Sequence, residues 1–143
     1  MATDKKLAAR AREAVEREPF ARRLGIHLLD CAPGYARVEM TPTEELSNLF
    51  HMVHGGAIFS LMDEAFQVAC NSHGTLAVAL GLHVSYLKAP AMGKPLRAEA
   101  REVSLNSRIA TYEITVRDEQ ENLVATAQAT AYRKKTDNFF HES

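Results

Sequence analysis

The chain has 143 residues, 46% hydrophobic and 24% charged, the proportions of a folded globular protein rather than a disordered segment. At this length one domain buries roughly two-thirds of its unfolded surface and needs no disulfide staples. Seventeen basic against eighteen acidic side chains leave a net charge of −1, which provides no global field for nucleic acid. No apolar run approaches the ~20 residues of a membrane helix.

Cys31 and Cys70 lie far apart and neither belongs to a CxxC, so both read as reduced thiols of a cytoplasmic protein. Residues 1–18 alternate charges and lack the apolar core of a secretory signal. Asp4 to Glu18, rich in Ala, Arg and Glu and stopped by Pro19, places Leu7, Ala11 and Val15 at helical spacing. That thin stripe predicts a short helix docked on the main body and is too poor in large apolar residues for a membrane surface. Ile26 to Cys31 and Tyr35 to Thr41 are strand-like runs, with Ala32-Pro33-Gly34 as the turn. A polar stretch containing Pro42, Glu44, Glu45, Ser47 and Asn48 then leads to Gly55-Gly56.

From Ala57 to Cys70 the chain is almost wholly apolar, with Ile58, Leu61, Met62, Ala65, Phe66 and Ala69 near helical spacing. Only Ser60, Asp63, Glu64 and Gln67 interrupt it, which predicts a helix wrapped by the rest of the fold. Beyond Gly74 the pattern is sheet. Val78, Leu80, Leu82, Val84 and Tyr86 alternate with Ala79, Gly81, His83 and Ser85, and Pro90 and Gly93 end that run. Leu96–Val103, Ile109–Arg117 and Leu123–Arg133 follow, the last two joined by a polar turn at Asp118–Asn122. Thr136–Ser143 reads as a loose tail. The expectation is one α+β domain spanning 1–143: a curved antiparallel sheet around a long central helix, preceded by a short N-terminal helix.

Chemistry concentrates between Asn48 and Asp63. His54-Gly55-Gly56 ends a polar loop and opens the buried helix, where unshielded backbone N–H groups at the positive end of the helix dipole suit a developing oxyanion. Two glycines serve equally as a tight loop-to-helix turn. Asp63, midway along the apolar helix, loses solvation and should have a raised pKa, as tuned catalytic carboxylates do. A structural Asp paired with a polar neighbour is the other reading. Gly56, Ser60, Asp63 and Gln67 share one stripe, which suggests a lined crevice, while Glu64 competes as the carboxylate from the other side. His51 and His54 lie three apart, but the region has no HExxH or carboxylate-rich pattern, so no metal site is assigned. GxSxG, Walker and GxGxxG motifs are absent.

Asn48-(x5)-His54-Gly55-Gly56-(x6)-Asp63, followed by Val84-Ser85-Tyr86-Leu87-Lys88-Ala89-Pro90, resembles the hotdog-fold acyl-CoA thioesterases of the phenylacetate-pathway, PaaI-like type. The resemblance runs from about Asn48 to Arg133 and implies a long helix wrapped in a curved antiparallel sheet. It also implies a homodimer at minimum, and a homotetramer. Carried over by position, it makes Asp63 the catalytic carboxylate and Gly55 the donor to the thioester carbonyl. Asn48 and His54 match residues near the thioester and the leaving thiolate. Some relatives place a Ser or Thr at the start of the next strand to assist the attacking water; close to Ala79 this chain has no hydroxyl.

The implied activity is hydrolysis of aryl or medium-chain acyl-CoA, such as phenylacetyl- or hydroxyphenylacetyl-CoA, to free acid and CoA. It requires no cofactor, because coenzyme A is part of the substrate. Neither nucleic acid nor membrane is expected as a partner. Gly56, Ser60 and Gln67 are candidate substrate contacts. Lys88, Arg108 and Arg133, with Lys94, Lys134 and Lys135 nearby at strand ends, are candidates for the phosphates of coenzyme A or are ordinary solubilising charge. A hotdog protein that binds acyl-CoA without turnover and a hotdog hydratase or dehydratase are the competing functions.

Overall fold

The computed structural model of the chain describes residues 2–140. In chain order the elements are helices α1 (Ala2–Arg17) and α2 (Pro19–Leu24), strands β1 (His27–Ala32) and β2 (Tyr35–Met40), helix α3 (Gly55–Asn71), and strands β3 (Thr75–Tyr86), β4 (Leu96–Leu105), β5 (Ile109–Asp118) and β6 (Leu123–Asp137). The strands form one antiparallel sheet in the order β1-β2-β4-β5-β6-β3, and α3 touches all six. This is the hotdog arrangement of a helix wrapped by a curved sheet. Among the described residues no helix is long and apolar enough to cross a membrane.

The apolar patterns become the contact faces. Leu7, Ala11 and Val15 are buried, so the thin stripe of α1 is its docking face. On β5 the buried residues are Ala110, Tyr112, Ile114 and Val116, and on β6 they include Ala125, Ala127, Ala129 and Ala131. A row of alanines lets the sheet approach the bulky face of α3, where Phe66 meets Tyr112 edge-on with ring centroids 5.5 Å apart.

Three expectations need correction. Pro19 does not simply end helical structure. It stops α1 and then occupies the first turn of α2, where its missing N–H has no intrahelical partner to lose, and Gly25 closes α2 at φ 72°. The alternation of β3 is interrupted between Ala79 and Gly81, so Val78 and Leu80 lie exposed while Leu82 and Val84 pack on the core. The segment from Thr136 is not loose as far as Phe140. Thr136 and Asp137 extend β6, Asn138 Nδ2 donates to Asn71 O, Asn71 Oδ1 and Thr75 O, and Phe140 is buried. Residues 141–143 of that expected tail lie outside the described residues.

The two sheet edges differ. On the β1 side, Arg12 of α1 reaches the carbonyls of Leu28 and Leu29, so the helix covers the strand. On the β3 side only the beginning is capped: Asn71 Oδ1 accepts from Ala77 N at 2.9 Å and its Nδ2 donates to Ala77 O at 3.0 Å. No strand among the described residues pairs with the outer edge beyond that point. Asn71→Ala leaves a buried N–H and C=O of Ala77 unpaired and should destabilise the fold by about 2–4 kcal/mol. Urea unfolding would measure this, and an unchanged midpoint would show the clamp to be dispensable.

Candidate active site

The site grows from the start of α3. His54 takes the N-cap position with extended backbone (φ −64°, ψ 136°), and its ring Nδ1 accepts from Gly56 N at 2.7 Å. Ala57 and Ile58 donate to His54 O. The sequence pattern suggested several outward N–H groups here, but the cap consumes the next three. Gly55 N–H alone has no acceptor among the described residues. Its carbonyl accepts from the Tyr86 hydroxyl at 3.1 Å, and a Cβ added to Gly55 would meet the Tyr86 ring at 3.5 Å. The end of β3 thus fixes the donor turn.

Asn48 lies in the loop before this turn. Its Oδ1 accepts from Phe50 N and Met52 N, which shapes the loop and holds His51 at φ 60°, while its amide nitrogen has no partner among the described residues. His54, with Nδ1 committed to the cap, presents Nε2 as the protonated ring nitrogen. Phe20, Leu24, Leu46, His54, Gly56 and Ser60 are among the residues lining a cleft of about 200 Å³ beside the turn. Ser60 Oγ is directed back to Gly56 O at 2.7 Å.

Asp63 opens elsewhere. It lies with Gln67, Cys70, Val78 and Ala79 on a second cleft of about 180 Å³ between α3 and the first half of β3. The stripe read as one crevice is therefore divided in two: Gly56 and Ser60 face α2, whereas Asp63 and Gln67 face β3. The separation follows from helix geometry, since eight residues from Gly55 to Asp63 span ~12 Å at ~1.5 Å per residue.

Burial raises the Asp63 pKa above the ordinary carboxylate value, and the nearby charge of Glu18 adds to the shift. Glu18 was not among the sequence candidates. It stands between α1 and α2, where it accepts from Gln67 Nε2 at 2.9 Å and is hydrogen-bonded to Glu64. Glu64 is only 4% exposed, and its Oε2 has no hydrogen-bond partner. Desolvation first, then the hydrogen bond to Glu18 and the charges of Glu18 and Asp63, push its pKa far above the carboxylate range, so it is a neutral acid at pH 7. Burial likewise pushes the Cys70 thiol up to about 12, which makes it unreactive.

The basic candidates separate by sheet end. Lys88, just past β3, pairs with Asp118 Oδ2 at 3.2 Å, and Lys94 lies 4.0 Å from Glu119. At the other end Arg108 and Arg133 brace the backbone: Arg108 Nη1 donates to Arg133 O and Arg133 Nη1 to Asn106 O, while Lys134 and Lys135 are exposed. Among the described residues no three His, Cys, Asp or Glu side chains converge on a common point.

Residues 50–125 match the model of the thioesterase superfamily. A relative in Archaeoglobus fulgidus is 44% identical over 80% of this chain and 74% of its own length. The acyl-coenzyme A thioesterase PaaI of Escherichia coli K12 is 34% identical over 82% of this chain and 84% of its own. The structure of the E. coli PaaI protein superposes with a TM-score of 0.89 at 31% identity, covering 94% of this chain and 97% of that one. The smu.793 protein of Streptococcus mutans, solved with acetyl CoA bound, gives 0.75 at 25% identity over 79% of this chain and 91% of its own.

The carboxyl cluster has a testable consequence. Because folding raises the pKa of Glu64, its stabilising contribution is complete below the unfolded-state value and is lost as pH rises towards the folded-state value. Gln mimics the protonated acid at every pH. Glu64→Gln should therefore melt several degrees above wild type at pH 8, with the gap narrowing by pH 5. Parallel Tm curves for the two proteins would remove Glu64 from the pH dependence of stability.

Proposed function

The chain belongs to the thioesterase superfamily, and from that premise we propose that it hydrolyses acyl-CoA thioesters to a free acid and coenzyme A. The observation that carries the reading is the Gly55 N–H: an unpaired backbone donor at the positive end of a seventeen-residue helix, braced by Tyr86. It suits the carbonyl oxygen of the thioester as that oxygen becomes an oxyanion. Asp63, whose raised pKa makes it a stronger base than a surface carboxylate, supplies the second half of the chemistry. Acting on water, it takes one proton as the new C–O bond forms; the C–S bond then breaks and the proton passes to the departing thiolate. Acting as nucleophile, it forms a mixed anhydride as the C–S bond breaks and the thiolate leaves; water then cleaves the anhydride to regenerate the carboxylate, and one of its protons goes to the thiolate. Both routes need the ionised carboxylate, so activity should rise with pH through the elevated Asp63 pKa. The acyl group proposed is aryl or medium-chain, in keeping with the likeness to the PaaI protein of the phenylacetic acid degradation operon.

The two clefts make a single-chain site difficult. Reacting atoms must sit ~3–3.5 Å apart, and ~12 Å of rigid helix separates donor from carboxylate. A second copy resolves this. Gly55 lies against Tyr86 and Asp63 lies by Val78 and Ala79, near opposite ends of the uncapped edge strand β3. In an antiparallel two-fold pairing centred near Leu82, Tyr86 of one chain comes opposite Val78 of the other, which brings Gly55 beside the second copy's Asp63. Val78 is 40% and Leu80 60% exposed, as an unoccupied pairing edge would leave them. We therefore propose a homodimer at minimum, with a tetramer built from it.

Thiol release from a panel of acyl-CoAs tests the activity. Asp63→Asn should fold normally and lose at least ~100-fold in kcat, the scale of a general-base contribution. A folded variant with wild-type kcat would exclude Asp63 from the chemistry. The shared site has its own test. Gly55→Pro deletes the donor at a position where helices accept Pro, and the extended backbone of His54 already suits a residue before Pro. Each variant should be inactive alone. Unfolded and refolded together in equal amounts, about half the dimers are mixed and each mixed dimer has one intact site, so about a quarter of sites should recover. No recovery would place both groups within one chain.

A further inference from the structure

The apolar cleft beside Gly55 has a wall that neither the family resemblance nor the sequence motifs assign. We infer that helix α2 selects the acyl group: Phe20 and Leu24 close the cleft next to the His54–Gly56 turn and limit it to a group about the size of one ring. This rests on the thioesterase reading and adds to it the residues that set acyl size.

The two neighbours of Gly55 both line this cleft, so a thioester carbonyl on the Gly55 N–H lies at its mouth. On the other side of Gly55 stands Tyr86, followed two residues later by Lys88. A substrate with one apolar end and one phosphate-bearing end is sorted by this arrangement. The phosphates run towards the lysine, and the acyl group enters among Phe20, Leu24, Leu46 and Ala57. Its volume is about 200 Å³, and an apolar cavity of about 150 Å³ accommodates benzene. A single ring is the size this volume holds; a long alkyl chain exceeds it and would have to extend past the lining that includes Phe20. Glu45 on the same lining disfavours an acyl group that carries its own carboxylate.

Phe20 is 55% exposed, so the main core does not hold its ring in place. The helix beneath it is fixed at both ends: Pro19 and the Gly25 cap set its limits, and Glu18 ties its start to Gln67 of α3. A large apolar side chain carried over a cleft by an anchored helix is the arrangement a size filter requires.

The experiment varies Phe20 in both directions and compares a single-ring with a long-chain substrate. Phe20→Ala should raise the ratio of kcat/KM for palmitoyl-CoA over phenylacetyl-CoA by about tenfold or more, and Phe20→Trp should lower it, the scale of a few methylenes in an apolar pocket. Circular dichroism confirms that each variant folds. Kd values for the matching non-hydrolysable thioether analogues, by calorimetry, should shift in the same two directions. A ratio that moves less than about twofold, or the same way in both variants, overturns the selectivity role. Shifted Kd values in a chain that releases no thiol would support the filter and overturn the hydrolase reading instead.

Discussion

Helix α3 sets the terms for the rest of the molecule, because an apolar surface on nearly every side of seventeen residues has to be enclosed. One layer of sheet covers only part of a cylinder, so the strands curl, and the alanine row of β6 brings backbone close where large side chains would hold it away. Beyond the sheet, Glu18 and α2 stand alongside α3 through the hydrogen bond to Gln67 and the cleft shared with Gly56 and Ser60, while α1 packs on β1. Enclosure also isolates the few polar groups on α3 from water, which raises the proton affinities of Asp63 and Glu64.

The carboxyl cluster shows how one environment assigns different states to adjacent residues. Glu64 is the more deeply buried and lies against Glu18, so it stays protonated. Asp63 faces an open cleft, is less desolvated and can ionise within reach of a ligand. Glu18 touches both, through a hydrogen bond to one and charge repulsion towards the other. The junction of α1 and α2 thereby joins the electrostatics of α3 from outside the sheet. Its contacts to Gln67 and Glu64 also place α2, so one residue couples the position of the cleft wall to the proton affinity of Asp63.

Much of the fold was legible because it depends on short-range periodicity. The stripe Leu7-Ala11-Val15, the alternation on β5 and the apolar run of α3 each state which face is buried without knowing what it meets. Pro19 does stop the first helix, but the short helix it starts was not legible, because proline both forbids helix continuation and favours helix initiation and only the next residues' packing shows the second. The bulge at Leu80 left no mark in a clean alternating pattern, since register is decided by the partner strand β6. Within the site, Gly55 and Asp63 stood out by local chemistry. Glu18 is forty-five residues or more from every group it meets on α3, and the role of Tyr86 depends on a hydroxyl crossing thirty-one residues to Gly55 O; neither has a local signature. His54 did have a signal, because a side-chain acceptor followed by two glycines at a helix start is a capping pattern.

The proposed pairing of two chains answers several problems with one symmetry operation. β3 carries exposed apolar residues along an open edge, a liability that soluble proteins rarely leave uncovered, while the opposite edge is already protected by α1. Placing a two-fold axis near Leu82 covers that edge with its own copy. The same operation acts on charge. Lys88 lies beyond the Tyr86 end of β3, and Arg133 pairs with Ala77 near the other end with Arg108 beside it. Within one chain these cations stand at opposite ends of the strand; across the axis, Lys88 of one copy and the two arginines of the other approach the same end. The phosphate-bearing part of a CoA ester would then meet positive groups from both chains at the end where Gly55 and the second Asp63 converge. In that pairing a chain with net charge −1 would acquire a local basic rim by symmetry rather than by composition.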